Sequence, residues 1–211
     1  MPEYEVKIIE SLKSFELIKD EWNELLLESR TKSIFLTWEW LYTWAESYIG
    51  KLRELFIIAI YKSGNLVGAA PWYLRHFRYG PFKIRRLEFL GTPETGSDYL
   101  DILTKNGFEY VISSKLYEHL MTAVPEKWDC LYLRDIPANS FLLVDFIVHF
   151  LREGKHIDVR QDSLCPIIRL PETWEGFIAS LSANRRQQLK RHAKKLFING
   201  KVKLCMILNP S

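Results

Sequence analysis

The sequence predicts a mixed α/β domain in which a largely antiparallel central sheet is flanked by helices. Segments with apolar residues at three- and four-residue spacing, typical of helices, alternate with short runs of strand-forming residues. A turn signal at Ser63–Asn65 joins two of those runs into a hairpin. A strand–helix–strand unit follows later in the chain. Antiparallel hairpins early and such a unit late are typical of mixed α/β domains.

The first half of the chain is predicted to hold two helices and most of the sheet. Thr37 is suited to cap a helix and Gly50 to end it. The run Leu55–Tyr61 is rich in strand formers, and the chain returns after the turn as Leu66–Leu74. The predicted helices cover 14–29 and 37–50, and the predicted strands cover 5–9, 55–61, 66–74, 85–90 and 99–103.

Prolines and glycines divide the second half of the chain. Pro125, Pro137 and Gly154 each end a predicted element. The predicted helices cover 110–124 and 141–152, and one strand covers 128–136. One or two further strands are expected over 156–170.

The pattern begins again beyond Pro171, and the charge changes sign near the same point. A helix is predicted over 174–198, a stop at Asn199–Gly200, and a strand over 202–208. Glu175 is the last acidic residue, and the segment after it carries +8, which leaves −5 for the first 175 residues of a chain with a net charge of +3. We therefore expect one domain over 1–170 and a truncated second domain over 171–211.

Composition excludes several classes of protein. With 47% hydrophobic and 26% charged residues, the 211-residue chain is neither disordered nor fibrous. No apolar run approaches the roughly 20 residues of a membrane span, and the acidic N-terminus has no signal-peptide core. Cys130, Cys165 and Cys205 offer no disulfide framework, which favours a reducing, cytoplasmic setting. The five histidines lack metal-ligand spacing, so no metal site is expected.

Several short segments, taken in order, resemble a known family. They are Phe35–Trp40 with Trp44, Gly68–Pro71, Phe89–Thr92, Ser97–Asp101, and Leu181–Arg186 continuing into Lys190–Arg191. With the order of elements, they resemble the CelD-type, cellulose-biosynthesis-associated acetyltransferase-like proteins of the GNAT superfamily. These proteins are related to the FemABX-type transferases, which carry two GNAT-like domains in tandem.

The resemblance implies a GNAT-like fold and an activity. The expected reaction moves an acyl group from acyl-CoA to an amine or hydroxyl acceptor, such as a glycan in polysaccharide or cell-envelope metabolism. In such proteins the diphosphate of CoA is bound by a glycine-rich turn between a strand and a helix. The corresponding stretch here, Leu103–Tyr110, has a single glycine and a single lysine. We therefore expect the full-length family to use acetyl-CoA or another acyl-CoA, and this chain to bind none tightly and to be inactive alone.

Two groups of residues are candidates for substrate binding. Asp98, Tyr99 and Asp101 follow a glycine-containing loop, and alternation along a strand would place Tyr99 and Asp101 on one face. Asp98 as a turn cap and Asp101 as a hydrogen-bonded structural acid form the competing interpretation. No catalytic base is identified.

The second group, Arg185, Arg186 and Arg191, lies on the basic helix. Guanidinium groups there could bind phosphate in a bidentate manner, or could simply be a solvated face. The acidic first domain argues against nucleic acid as the partner, while an anionic membrane surface stays open. The aromatic residues of 38–44 are expected to pack in the core rather than to form a stacking platform.

The sequence therefore leaves two hypotheses about function. The chain is either part of an acyltransferase or a non-catalytic, GNAT-like module that binds a substrate or partner. Self-association through the open edge of the strand over 202–208 is also expected.

Overall fold

The architecture is described from a computed structural model, which covers residues 4–161, 164–198 and 202. The chain divides into two compact units, Met1–Gln161 and Asp162–Ser211. This division falls earlier than the predicted boundary at residue 170, and a second GNAT-like domain over 171–211 stays a prediction. The predicted α/β class is confirmed: the first unit has a mostly antiparallel sheet with one parallel pair, flanked by helices.

The sheet of the first unit runs in the order β1-β2-β3-β4-β6, with β5 also paired to β3. All pairs are antiparallel except β4 with β6. The strands are β1 (Tyr4–Ile9), β2 (Arg53–Lys62), β3 (Asn65–Tyr79), β4 (Phe82–Phe89), β5 (Leu103–Thr104) and β6 (Cys130–Leu131). The hairpin predicted at Ser63–Asn65 joins β2 to β3.

The strand β3 pairs along one of its edges with β4 and then with β5. The chain leaves the sheet after Phe89, opposite Trp72, and returns at Leu103, opposite Ala69. Residues 90–102 therefore loop out opposite a gap of two residues on β3. Pro71 lies in that gap, and its carbonyl accepts a hydrogen bond from the Leu90 amide on this edge. The nitrogen of Pro71 faces the same edge, where no strand is paired with it. The proline therefore costs the sheet no hydrogen bond.

Helices cover both faces of the sheet, which explains why residues 55–61 of β2 are all buried. The helices are α1 (Leu12–Glu16), α2 (Lys19–Glu28), α3 (Trp38–Tyr48), α4 (Glu109–Glu118), continued by a π-helical turn over His119–Ala123, and α5 (Phe141–Arg152). Trp44 of α3 packs on Tyr73, with ring centres 5.0 Å apart. Trp72, on the opposite face of β3, packs near Phe146 of α5.

Hydroxyl side chains begin several helices, and Thr37 does so as the sequence predicts. Thr37 accepts a hydrogen bond from the Trp40 amide at the start of α3, and Ser140 accepts from the Leu143 amide at the start of α5. The single helix predicted over 14–29 is wrong, because α1 and α2 are separate. The Phe15 carbonyl accepts from the Trp38 indole and from the Ile18 amide, which replaces its helical bond to residue 19.

Three strand predictions need correction. Of the strand predicted over 99–103, only the end is observed, because Tyr99 adopts a positive φ of 56° that breaks the extended path. The strand predicted over 128–136 is reduced to Cys130–Leu131. The described residues of 156–170 form no strand.

The second unit contains α6 (Trp174–Ser180) and α7 (Ala183–Ala193), and a π-helical turn follows over Lys194–Ile198. The sequence predicts one continuous helix over 174–198, which is wrong. Ser182 interrupts it, because its backbone is extended and its hydroxyl caps α7 by accepting from the Arg185 amide. The predicted stop at Asn199–Gly200 lies outside the described residues, as does the predicted strand apart from Val202.

Within the part of the chain that is described, no helix has the length and apolar character needed to cross a membrane. Within the same part, no cluster of three or more histidine, cysteine or acidic side chains could hold a metal ion. Cys130 and Cys165 are free thiols.

Candidate functional site

Three of the segments that carry the family resemblance meet around the excursion loop, residues 90–102. The Trp40 indole at the start of α3 donates a 2.9 Å hydrogen bond to Ser97 Oγ. Gly91, at a positive φ of 91°, lies so close to Ser97 that a Cβ on it would come 2.7 Å from that oxygen. Thr95 Oγ1 also lies 3.1 Å from the same oxygen. Segments far apart in sequence thus form one site against the sheet.

Asp101 is the buried centre of this loop. Its carboxylate accepts hydrogen bonds from Thr31 Oγ1 at 3.1 Å, Ser140 Oγ at 2.9 Å and the Ile102 amide at 2.8 Å. Burial raises the pKa of this carboxyl group, while the three hydrogen bonds oppose the rise. Asp101 therefore ties the segment after α2, the excursion loop and the start of α5 together.

Asp98 and Tyr99 are the accessible members of the same segment. Tyr99 is 37% exposed, and Asp98 is partly exposed. The Ser33 hydroxyl lies 3.5 Å from the Asp98 carbonyl, and the Leu100 amide donates to the Asp135 carbonyl, which fixes the backbone on both sides of Tyr99. Because Tyr99 is not in a strand, the predicted alternation does not hold, and of the three candidates only Asp98 and Tyr99 reach the surface.

The turn between β5 and α4, where the resemblance would place the diphosphate of CoA, carries charges that already have partners. Lys105 Nζ lies 2.8 Å from a carboxylate oxygen of Glu28, and the Asn106 amide donates to the Glu28 carbonyl. Glu109, in the first turn of α4, is buried and paired with Arg30 at 3.3 Å. A carboxylate thus occupies the positive end of the helix, where a phosphate would have to lie.

The single glycine of this turn adopts a backbone conformation that favours glycine. Gly107 has a positive φ of 86°, and a Cβ built on it would meet nothing within 4 Å. The positive φ accounts for a glycine at this position of the turn. The residues of this turn do not fit the diphosphate of CoA.

The three arginines of the second group lie on α7 in the second unit. Arg185 and Arg191 are exposed and Arg186 is half-buried, with one guanidinium nitrogen 3.5 Å from the Ala179 carbonyl. In the described part of that unit, none of the three lies within 4.0 Å of a carboxylate. They are accessible to an anion, and their role in binding one stays a prediction.

The aromatic residues of α3 pack as expected. Trp38 and Trp44 are buried, and Trp38 stacks on Tyr42 with ring centres 4.3 Å apart. Trp40 reaches the excursion loop instead.

Asp101 has two side-chain partners, Thr31 and Ser140, which the sequence analysis does not identify. The signal that it could have used is the position of Ser140 directly before the predicted helix over 141–152.

Comparisons with known proteins give structural similarity at low identity. No protein-family model matches the chain, and no curated protein matches it. The solved structures similar to it include a ribosomal-protein-alanine N-acetyltransferase from Brucella melitensis biovar Abortus 2308, with 14% identity over 79% of this chain and 99% of that chain, at a TM-score of 0.41.

Two further solved structures are similar to a comparable degree. A possible acetyltransferase from Clostridium difficile 630 has 9% identity over 78% of this chain and 99% of that one, at a TM-score of 0.46. An aminoglycoside N-acetyltransferase in complex with CoA has 10% identity over 81% and 97%, at a TM-score of 0.44. At these values the similarities assign neither a family nor a substrate.

Proposed function

We propose that this protein belongs to the acyl-transfer class, in which an acyl group passes from acyl-CoA to an amine or hydroxyl acceptor. The observation that carries the proposal is the order and pairing of the elements in the first unit. A strand, the helices α1–α3 and an antiparallel three-stranded meander precede a helical crossover that brings β6 parallel to β4. The GNAT resemblance of the sequence implies this order, and three of the segments that carry the resemblance meet at the excursion loop.

Within this class, we propose that the first unit binds the acceptor or a partner rather than the acyl donor. Support comes from the β5–α4 turn, where Lys105 and Glu109 are both engaged in ion pairs and leave no cation for a diphosphate. Asp98 and Tyr99 would contact the acceptor, a small molecule or glycan-type compound, and Asp101 would hold their loop in place. Such a carboxylate and phenol suit hydrogen bonds to an amine or hydroxyl.

We assign to the second unit the binding of an anionic part of the substrate or partner. Arg185, Arg186 and Arg191 are the contacts, and the basic segment 171–211 would open a second GNAT-like domain. A polysaccharide or cell-envelope pathway in a reducing, cytoplasmic setting fits the family resemblance and the free thiols. Replacing the three arginines with alanine should leave the thermal midpoint unchanged and should abolish retention on an anionic resin at low salt.

Calorimetric titration with acetyl-CoA tests the assignment of the donor site. We expect no saturable binding by this chain, meaning a Kd above about 1 mM. A double variant, Glu109→Gln with Glu28→Gln, removes the two carboxylates that pair with the cations of the turn. It serves as the control in which a weak affinity for acetyl-CoA would be easier to detect. Binding by the natural chain with a micromolar Kd would overturn the assignment of the first unit.

The acyl-transfer class needs a separate test. A protein expressed from the whole reading frame should acetylate an amine or hydroxyl acceptor when supplied with acetyl-CoA. If it neither binds nor consumes any acyl-CoA, the alternative applies: a non-catalytic GNAT-like module that binds a substrate or partner. The observation that favours this alternative is the β5–α4 turn, whose charged side chains are already held in ion pairs.

A further inference from the structure

Positive charges face each other across the end of the sheet that carries the β3–β4 hairpin. Arg75 of β3 lies opposite Arg53 of β2 on one side and opposite Arg86 of β4 on the other. Nearer the hairpin tip, Arg78 of β3 lies opposite Lys83 of β4. Like charges placed directly opposite each other destabilise a sheet. Each of these pairs therefore weakens the sheet unless a carboxylate compensates its charge.

Carboxylates compensate only part of this positive charge. Glu88 lies 2.7 Å from Arg86 and 3.7 Å from Arg75, Glu94 pairs with Arg53, and Glu54 lies 3.1 Å from His76. The hairpin end nevertheless keeps three further cations. In the part of the chain that the structure describes, Lys51, Arg78 and Lys83 have no carboxylate within 4.0 Å. A surplus of positive charge remains in a unit whose sequence is acidic overall.

These cations surround a concave surface, which we call the hairpin cavity. It has a volume of about 810 Å³ and lies between the segment 48–52 and the projecting β3–β4 hairpin. Its basic lining consists of Lys51, Arg53, Arg75, His76, Arg78 and Lys83, and Tyr48 and Leu52 supply apolar surface. This volume is within the range of small-molecule sites.

The backbone of β3 adds a polar edge to the cavity. The His76 amide donates to the Leu52 carbonyl, so the amides of even-numbered residues in this part of β3 face the side of β2. The strand β2 begins at Arg53, opposite Arg75, so no β2 residue pairs with Arg78. The Arg78 amide therefore faces the cavity side, where it can join the cations in binding an anion.

We propose that the hairpin cavity binds a small molecule that carries a phosphate or diphosphate group. Lys51, Arg78 and Lys83 bind the phosphate oxygens, and Arg78 offers the planar, bidentate contact that suits them. Tyr48 and Leu52 contact the organic part of the molecule. The site is independent of the acyl-transfer proposal, because Arg78 lies ten residues along β3 from Gly68, next to the β5–α4 turn, a distance of roughly 30 Å.

Titration with inorganic pyrophosphate and with AMP, followed by amide NMR and calorimetry on the full chain, tests this proposal. We expect saturable shifts of the amides of Lys51, Arg78 and Lys83, and a Kd at least about tenfold weaker in the double variant Arg78→Glu with Lys83→Glu. The matched control is Lys13→Glu with Lys155→Glu, two exposed lysines outside the cavity whose replacement changes the net charge equally. This control should bind as the natural chain does.

A milder double variant, Arg78→Gln with Lys83→Gln, keeps the test valid if charge reversal disturbs folding, which circular dichroism reports. Equal loss of binding in the control would mean that net charge alone attracts the anion, and would overturn the proposal. Vesicles of phosphatidylcholine containing phosphatidic acid provide the second arm. If the protein sediments with those vesicles but does not respond to pyrophosphate or AMP, the surface binds a membrane. That result would also overturn the proposal.

Discussion

The indole nitrogen of Trp40 lies 2.9 Å from Ser97 Oγ, and this hydrogen bond joins the first turn of α3 to the excursion loop. Replacing Ser97 with alanine leaves the half-buried indole N–H without its acceptor. We expect this to lower the free energy of unfolding by about 1–3 kcal/mol. Ser47→Ala on the exposed face of α3 is the control and should change it by less than about 0.5 kcal/mol in urea denaturation. Equal effects would show that the bond contributes nothing specific.

Gly68 permits the close approach of α4 to β3. A Cβ at this position would lie 2.7 Å from both Cδ1 and Cγ2 of the buried Ile112. Gly68→Ala should therefore destabilise the first unit by about 1–3 kcal/mol through overpacking. Adding Ile112→Val, which removes Cδ1 but keeps Cγ2, should recover part of the loss, as a double-mutant cycle of thermal midpoints would show. No recovery would mean that the contact with Ile112 is not the cause.

Glu88 is a buried carboxylate in contact with two arginines and a phenol. It accepts from Tyr73 Oη at 3.0 Å and from Arg86 Nε at 2.8 Å, and burial with this neighbouring charge raises the pKa of Tyr73. Glu88→Gln should destabilise the protein by about 3–5 kcal/mol, because Arg75 and Arg86 then face each other without a counter-charge. Glu118→Gln, at an exposed ion pair with Lys115, should cost less than about 1 kcal/mol in the same denaturation experiment.

Asp101 should make stability depend on pH in the acidic range. Because the folded-state pKa of its carboxyl group is raised above the ordinary value of 3.8, the folded state holds this proton more tightly than the unfolded state. Its contribution is fully present below that value and is lost as the pH rises through the folded pKa. The difference in unfolding free energy between the natural chain and Asp101→Asn should therefore fall with rising pH in this window and then level off. A difference that rises across it would contradict the assignment.

Much of the fold could be predicted because its signals are local. Thr37 caps α3 through the amide three residues ahead, and the turn at Ser63–Asn65 sets the β2–β3 hairpin. The errors occur where a distant partner decides the backbone. The single helix over 14–29 is broken because the Phe15 carbonyl accepts from Trp38, and Tyr99 leaves the extended region within a loop held from several sides.

The candidate site was predicted only in part, for the same reason. The sequence indicated the segment Asp98–Asp101, but not which of its residues is buried. The burial of Asp101 depends on Thr31 and Ser140, which lie 70 and 39 residues away in the chain. The hairpin cavity gave no sequence signal, because its cations belong to the segment 48–52 and to three strands, and they become neighbours only in the folded sheet.

The excursion loop begins and ends on the same edge of one long strand, opposite Trp72 and Ala69 of β3. Because a single rigid element fixes both ends, the register of the sheet does not depend on the length or composition of the residues between them. Insertions or exchanges near Asp98 and Tyr99 would meet mainly the modest entropy of closing a longer loop. The accessible part of the site can therefore diversify during evolution, and can be grafted in the laboratory, while the surrounding strands keep their pairing.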